Sequence, residues 1–354
     1  MYHLMLHINL AEHSYDIVIQ RGAFQEVGKW VKGLWQPQRI AVITDSNVSP
    51  IYGQVIIDAL THEGFAAKLL VVPAGEKSKS LEQATILYDR LAELELTRSD
   101  GIIALGGGVI GDLAGFVAST YMRGVHFLQI PTTLLAQVDS SIGGKTAVNT
   151  GNAKNLVGTF AQPAGVLIDP ELLRSLPLYR VQEGIAEIIK SAAIADDQLW
   201  QKLAELQDEA ALLDHAEQVI TAALTVKRKV VEEDPFDHDS RLMLNFGHTI
   251  GHGLEKTAAF EISHGAGVAI GMVMITQHAE SIGLSPKGTT AQLIEMISKF
   301  HLPTQSESLD KDQLYQAITH DKKTRGNQLK IILLEKIGQA KIVTIPTEEI
   351  KNYL

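Results

Sequence analysis

Four residues between Arg241 and His252 have types and spacing suited to chemistry. Arg241, Asn245, His248 and His252 follow one another at steps of four, three and four, which places side chains on one face of a helix. Leu242, Met243, Leu244, Phe246, Ile250 and Leu254 stand between them. The outer face of an amphipathic helix is ordinarily filled with Lys and Glu, so Arg, Asn and two His point to a lined polar pocket instead. Gly247, Gly251 and Gly253 lower helix propensity and imply close approach by a neighbour or ligand. Glu183, Glu187 and Lys190 form a second stripe among Ile185, Ala186, Ile188 and Ile189, and His264 opens a further apolar helix. Neutral imidazoles and a carboxylate suit zinc with one coordination position left for water or substrate. His248 and His252 have the separation of a ligand pair, yet spacing leaves open which imidazoles share an ion. Each histidine alone also fits a hydrogen-bonded core residue.

A second constellation is the turn Gly106-Gly107-Gly108-Val109-Ile110-Gly111, which fits G-x-G-x-x-G between an apolar run, Gly101–Leu105, and a helical run, Asp112–Met122. Small residues there let backbone amides approach a pyrophosphate at a helix N-terminus. The acid expected about 20 residues on is replaced by Pro131-Thr132-Thr133, so this is not the ordinary dinucleotide fingerprint. Asp45, after the run Arg39–Thr44, offers a carboxylate for a ribose instead. The same glycines also suit a turn that only packs strand on helix. Gly144-Lys145-Thr146 resembles the end of a P-loop, but Asp139 stands where glycine is required, which excludes a nucleoside triphosphatase. The segment Asp139–Asn155 then reads as a loop. Lys145, Lys154 and Asn155 could hold a phosphate there, but taken alone they fit a solvated surface better.

The elements that must position these residues fall into two halves. Short apolar runs at Arg39–Thr44, Ala67–Val72, Gly101–Leu105, Val125–Ile130 and Gly165–Ile168 alternate with helical patterns such as Leu81–Glu95, which predicts a mostly parallel sheet covered by helices. Leu4–Leu10 and Tyr15–Gln20 alternate like an edge hairpin. Beyond about Pro177 the patterns are helical: Gln182–Ala195, Asp214–Glu233, Arg241–Lys256, His264–Ile282 and Thr289–Phe300. Strand-like runs return at Gln328–Leu334 and Lys341–Ile345. The expectation is a Rossmann-like α/β domain over residues 1–175 and a helix-rich domain over 176–354, with the active site in the cleft between them.

Composition narrows the function. The chain has 354 residues, 45% hydrophobic and 20% charged, with 31 basic against 41 acidic residues and a formal charge of −10. That balance argues against a nucleic-acid partner but not against a local basic pocket. Cysteine is absent, so disulfides, thiolate nucleophiles and Cys-type metal sites are excluded and any metal must sit on His, Asp or Glu. The first residues show no secretory signal. The apolar stretch Ile262–Ala279 carries His264, Thr276, Gln277, His278 and three glycines, which suits a buried helix rather than a membrane span. A cytoplasmic protein without a membrane partner is expected.

Taken together, a set of strings resembles the 3-dehydroquinate synthase family. These are Pro73–Lys79 (PAGEKSK), Gly106–Phe116 (GGGVIGDLAGF), Tyr121–Gly124 (YMRG), Pro131–Asn149 (PTTLLAQVDSSIGGKTAVN), Lys154-Asn155, Ala186–Lys190 (AEIIK), Asn245–His252 (NFGHTIGH), Ser263–Met272 and Asp321–Lys323 (DKK). They run in order over nearly the whole chain, and jointly they are highly specific. The resemblance implies a homodimer that binds NAD and one divalent metal, zinc or cobalt. It also implies conversion of 3-deoxy-D-arabino-heptulosonate 7-phosphate into 3-dehydroquinate and phosphate, a lyase step of the shikimate route.

Carried over by motif, the metal ligands are Glu187, His248 and His264, so the His248–His252 pair is not the ligand pair. Asp139, Lys145, Lys190, Lys227, Arg241, Asn245 and His252 take the catalytic roles. Substrate contacts add Lys154, Asn155 and one of Lys322 and Lys323, and Arg123 reaches the substrate of the neighbouring subunit. NAD falls to Asp45, Asn47, Glu76, Lys79, Gly107, Gly108, Val109, Asp112, Thr132, Thr133, Asp139 and Ser140, with Lys145 and Lys154 nearby. One segment departs from the family pattern Leu-Pro-x-Arg-Glu: here it is Leu176-Pro177-Leu178-Tyr179-Arg180-Val181, so no role is carried to Tyr179 or Arg180.

The residue types fit this chemistry. A cation on two neutral His and one Glu stays positive and acidifies a coordinated hydroxyl. Lysines and arginines stabilise a departing phosphate. The substrate's own phosphate serves as base for the elimination, and NAD ends as it began. Rival readings are 2-deoxy-scyllo-inosose synthase, an amino-dehydroquinate synthase, a metal-dependent polyol dehydrogenase that would release NADH, and an idle NAD-binding sensor. The intact metal, lysine and arginine set argues against the sensor.

Overall fold

A computed structural model describes residues 4–11, 13–36, 38–151, 153–258, 262–306, 310–319 and 327–354. The chain divides into two compact units, Met1–Leu176 and Pro177–Leu354.

In chain order the first unit contains β1 (Met5–Ile8), β2 (Tyr15–Ile19), α1 (Val27–Leu34), β3 (Arg39–Asp45), α2 (Gln54–His62), β4 (Ala66–Val72), α3 (Leu81–Glu93), β5 (Gly101–Gly106), α4 (Gly108–Thr120), β6 (His126–Pro131), β7 (Lys145–Val148), β8 (Val157–Phe160) and β9 (Gly165–Ile168). Seven strands form one sheet in the order β1-β2-β9-β6-β5-β3-β4. Only β1 and β2 pair antiparallel; the other neighbours are parallel. The hydrophobic pattern explains this. Strand β5 is buried along its whole length, as a strand covered on both faces must be. Its Ile103 and Leu105 join Trp30 and Val31 of α1 and Ile56 and Leu60 of α2 in one core. Its Ile102 and Ala104 join Leu87 and Leu91 of α3 and Leu113 and Val117 of α4 in the other.

The order β4-β3-β5-β6-β9 has a consequence for function. Winding runs outward from β3 to β4, then returns to place β5 on the far side of β3. At such a switch point the carboxyl ends of two adjacent strands open a crevice, where doubly wound sheets bind ligands. Asp45 ends β3 and Gly106 ends β5, so the sheet brings the carboxylate and the glycine-rich turn to one edge.

The segment expected to be a loop from Asp139 to Asn155 contains a strand. β7 pairs antiparallel with β8, Lys145 opposite Phe160 and Val148 opposite Val157. The hairpin is packed on α4: a Cβ at Gly115 would lie 2.6 Å from Thr146 Cγ2, and the Thr146 and Thr159 hydroxyls meet at 2.7 Å. Four-residue strands amid glycines leave too little alternation to be read from sequence.

The second unit contains α5 (Leu178–Ala195), α6 (Asp197–Glu205), α7 (Glu209–Asp214), α8 (Ala216–Glu233), α9 (His248–Thr257), α10 (His264–Ser281), α11 (Thr289–Lys299), α12 (Lys311–Thr319) and the antiparallel pair β10 (Gln328–Lys336) and β11 (Gln339–Pro346). Among the described residues no helix is long and apolar enough to cross a membrane.

One expected helix is broken. The run Arg241–Lys256 splits into a tight 3-10 turn, Ser240–Asn245, and α9. Between them Gly247 adopts φ +79, the left-handed region that glycine tolerates and other residues resist. Arg241 and Asn245 are therefore not on the helix face that carries His248 and His252. The glycines serve backbone packing. A Cβ on Gly271 would collide with the Gly247 carbonyl, and one on Gly251 would lie 2.9 Å from the Gly267 backbone. Helices α9 and α10 thus approach at backbone distance, and α10 lies against α5, where a Cβ on Gly265 would fall 2.5 Å from Glu183 Cα.

Candidate active site

Three helices bring Glu187, His248 and His264 together. Glu187 lies mid-way along α5, and the two histidines are the first residues of α9 and α10. The Ser263 side chain caps α10 by accepting the Ala266 amide, and the left-handed Gly247 starts α9. His264 Nε2 is 3.1 Å and His248 Nε2 3.3 Å from the same oxygen, Glu187 Oε1. One ligand atom from each of the three residues falls within 4.8 Å of the others. The other ring nitrogens are engaged: His248 Nδ1–H donates to the Phe246 carbonyl at 3.2 Å, and His264 Nδ1–H donates to Glu255 at 2.9 Å.

The electrostatics favour a cation at this point. Burial would raise the Glu187 carboxyl, but Lys190 and His248 override it and hold the group well below the usual range. Burial likewise opposes charge on His264, yet hydrogen bonds to Glu187 and Glu255 push the imidazole up to about 10. Positive charge is drawn to the nitrogen–oxygen cluster, and a proton and a divalent ion would compete for it. Two imidazoles and one anionic carboxylate, each with a donor atom turned inward, fit a divalent metal such as zinc or cobalt.

His252 lies one turn along α9, exposed, with its ring 5.2 Å from that of His248 and 5.8 Å from that of His264. Lys190, Lys227 and Arg241 are buried in the same unit, and Asn245 is half-buried. The position of Arg241 is set by Asp234, whose carboxylate accepts the backbone amides of His238, Asp239 and Arg241, while Arg241 Nη1 donates to the Pro235 carbonyl at 2.9 Å. Glu183 pairs with Arg180 at 2.7 Å rather than with the Glu187–His248–His264 cluster. Lys322 and Lys323 lie outside the described residues.

In the first unit the glycine-rich turn follows β5 and opens α4. Gly107 occupies the N-cap without a side-chain cap. A Cβ on Gly107 would lie 2.9 Å from Thr133 Cγ2, and one on Gly108 2.9 Å from Ser140 Oγ. Among the described residues, the buried hydroxyls Thr132 Oγ1 and Ser140 Oγ meet no hydrogen-bond partner, which fits a site that satisfies them with a polar ligand. Lys79, almost fully buried, places its ammonium 2.9 Å from Asp112 Oδ2 and 3.6 Å from Glu76 Oε1. Burial opposes its charge, and the two carboxylates outweigh that and raise its pKa. Burial raises the Asp112 carboxyl against the pull of Lys79. Asp45 Oδ1 accepts the Asn47 and Val48 amides at 2.8 and 3.1 Å. Val109 is the second residue of α4, and Asp139 and Ser140 lie on a short helical segment beyond Thr133. Lys145, Lys154, Asn155 and Arg123 are exposed. Asn155 and Arg123 have φ of +55 and +68, unusual for side chains with a Cβ.

Two further residues were given no role by the sequence. Asn149 donates Nδ2 to Glu76 Oε1 at 2.7 Å and accepts the Asn155 amide at 2.9 Å, bridging a nucleotide-side and a phosphate-side candidate. Glu255 reaches His264 from the last turns of α9. The one available signal for Glu255 was an acid three residues after His252, one helical turn on.

Comparison with known proteins identifies the family. The family model described as "3-dehydroquinate synthase N-terminal" matches residues 69–183, and that described as "3-dehydroquinate synthase C-terminal" matches residues 184–324. The 3-dehydroquinate synthase of Enterococcus faecalis is 64% identical over 352 residues, 99% of this chain and 98% of that one. A 2-deoxy-scyllo-inosose synthase solved with carbaglucose-6-phosphate, NAD+ and Co2+ superimposes with a TM-score of 0.90 at 25% identity, covering 98% of each chain. The 2-epi-5-epi-valiolone synthase of Streptomyces hygroscopicus subsp. jinggangensis, with NAD+ and Zn2+ bound, gives 0.87 at 27% identity over 98% of this chain and 97% of that one. With both family halves matched in order and a full-length relative at this identity, the chain belongs to the 3-dehydroquinate synthase family.

Proposed function

We propose that this protein is a 3-dehydroquinate synthase, an NAD- and divalent-metal-dependent lyase that converts 3-deoxy-D-arabino-heptulosonate 7-phosphate to 3-dehydroquinate and phosphate. The observation that carries the reading is the convergence of Glu187, His248 and His264 beside buried Lys190, in a chain 64% identical to a 3-dehydroquinate synthase along its length. When bound, the nicotinamide supplies a reversible hydride acceptor and the cation supplies Lewis acidity at a substrate hydroxyl.

The chain's own residues do the rest. Glu187, His248 and His264 would hold the cation, while Lys190 balances the Glu187 carboxylate. Lys227, Arg241 and Asn245 bind the anionic and hydroxyl groups of the sugar acid, and His252, exposed beside the cluster, exchanges protons with it. Asp139, Lys145, Lys154 and Asn155 bind at the phosphate end together with one of Lys322 and Lys323. In the elimination a phosphate oxygen takes the proton from the adjacent carbon, its electron pair forms the carbon–carbon double bond, and the carbon–oxygen bond to phosphate breaks. The cationic side chains stabilise the charge that leaves. Asp45, Asn47, Glu76, Lys79, Gly107, Gly108, Val109, Asp112, Thr132, Thr133 and Ser140 hold the dinucleotide, its pyrophosphate at the α4 N-terminus. The reading includes a cytoplasmic homodimer in which Arg123 reaches the partner's substrate.

The test is turnover of the heptulosonate phosphate with catalytic NAD, with and without chelator. Phosphate release without net NADH is expected, and chelator abolishes it. Stoichiometric NADH would mean a polyol dehydrogenase. Turnover of glucose 6-phosphate in place of the heptulosonate would mean a 2-deoxy-scyllo-inosose synthase.

A further inference from the structure

His248 and His264 share Glu187 Oε1 but are oriented differently. His248 is held by a backbone carbonyl, Phe246 O, two residues earlier. His264 has no such local support. Its side chain keeps 27% of its surface exposed, and its Nδ1–H is held by Glu255, nine residues away on a different helix. The Glu255 side chain is 9% exposed, an unfavourable place for a carboxylate unless something compensates it. It is fixed there because α9 and α10 meet through Gly251 and Gly267, which sets the reach from the end of one helix to the start of the other.

We infer that Glu255 is a positioning residue for the metal centre: it fixes the ring and tautomer of His264 so that Nε2 faces the ion beside Glu187. The inference rests on the metal reading of that cluster. A carboxylate accepting Nδ1–H leaves the lone pair on Nε2, prevents the ring from flipping, and makes the imidazole a stronger donor. The arrangement also blocks an alternative. His252, Glu255 and His264 have donor atoms within 4.8 Å of one another, a second set able to grip a cation. While Glu255 is bonded to Nδ1 of His264, the inward set with Glu187 is the one assembled.

The test compares wild-type protein with Glu255→Ala and Glu255→Gln. Zinc affinity is read by competition with a chromophoric chelator, alongside NADH binding and the unfolding midpoint in excess chelator. Loss of a partner that orients a ligand typically weakens metal binding about 10- to 100-fold, and that loss is expected for Glu255→Ala. Glu255→Gln, which keeps a carbonyl acceptor, recovers part of it. NADH binding and the chelated unfolding midpoint stay near wild type. In the cobalt-loaded Glu255→Gln protein the ligand-field bands keep the wild-type coordination.

Zinc affinity of Glu255→Ala equal to wild type overturns the inference. So does a changed coordination number in Glu255→Gln, which would make Glu255 a ligand. A fall in the chelated unfolding midpoint that matches the loss of affinity assigns Glu255 a structural role and also overturns it. If Glu255→Ala fails to fold, the isosteric Gln variant carries the same comparison. Should the wild-type protein bind no stoichiometric zinc, the reading of the cluster itself fails, a result distinct from equal binding by all three proteins.

Discussion

The Lys190 ammonium lies 2.5 Å from Oε2 of Glu187, three residues apart on α5, with the two side chains 2% and 1% exposed. The contact joins an ammonium and a carboxylate that are both shut away from water. Lys190 therefore supplies charge balance to a carboxylate that burial alone would neutralise.

Replacing Lys190 by methionine should expose that dependence. Removing one partner of a buried pair costs roughly 3–5 kcal/mol, so urea unfolding in chelator should shift by about that much. With saturating zinc the penalty should shrink, because the ion takes over the balancing charge. An equal penalty in both conditions would contradict the role.

Asp234 gives a pH signature. Burial would raise its carboxyl, but the backbone amides of His238, Asp239 and Arg241 hold it below the ordinary value. A depressed folded pKa stabilises the native state above the unfolded value of about 3.9, and that contribution is lost as pH falls through the lower folded value. Asp234→Asn should be less stable than wild type at pH 7 by roughly 1.5–3 kcal/mol, the usual range for hydrogen bonds to a charged group. The difference should narrow as pH falls below about 3.9. Denaturant melts across that range measure it, and a gap independent of pH would rule the linkage out.

Asn149 offers a prediction about ligand coupling. It joins Glu76 to Asn155, whose φ is +55. Both hydrogen bonds are exposed and each is worth about 0.5–1.5 kcal/mol. Asn149→Ala should therefore weaken NADH binding and raise KM for the sugar phosphate, each by about 2- to 10-fold, while the unfolding midpoint barely moves. Fluorescence titration and steady-state kinetics read the two effects. A change in one without the other would mean that Asn149 does not link the two sets.

Much of the architecture was legible in residue order. Strands β3, β5, β6 and β9 are covered on both faces, so they appear as short, mostly apolar runs, and the glycine-rich turn stands where a strand must hand over to a helix. The helix that carries Glu187 and Lys190 was equally plain, because its polar residues recur at helical steps among Ile185, Ile188 and Ile189. The hairpin β7–β8 was not, since its strands are too short for their alternation to register.

The Glu187–His248–His264 cluster shows where residue order stops being informative. Periodicity speaks only for side chains on one continuous helix. It paired His248 with His252 and extended that helix back to Arg241, across a left-handed Gly247. The assembled set instead takes one residue from each of three helices, and Glu255, bonded to His264, comes from the far end of the helix that begins with His248. What joins them is backbone contact among α5, α9 and α10 at Gly247, Gly251, Gly265, Gly267 and Gly271. Local spacing selects the face a side chain occupies, but the distance between faces on separate helices is set by how closely their backbones pack.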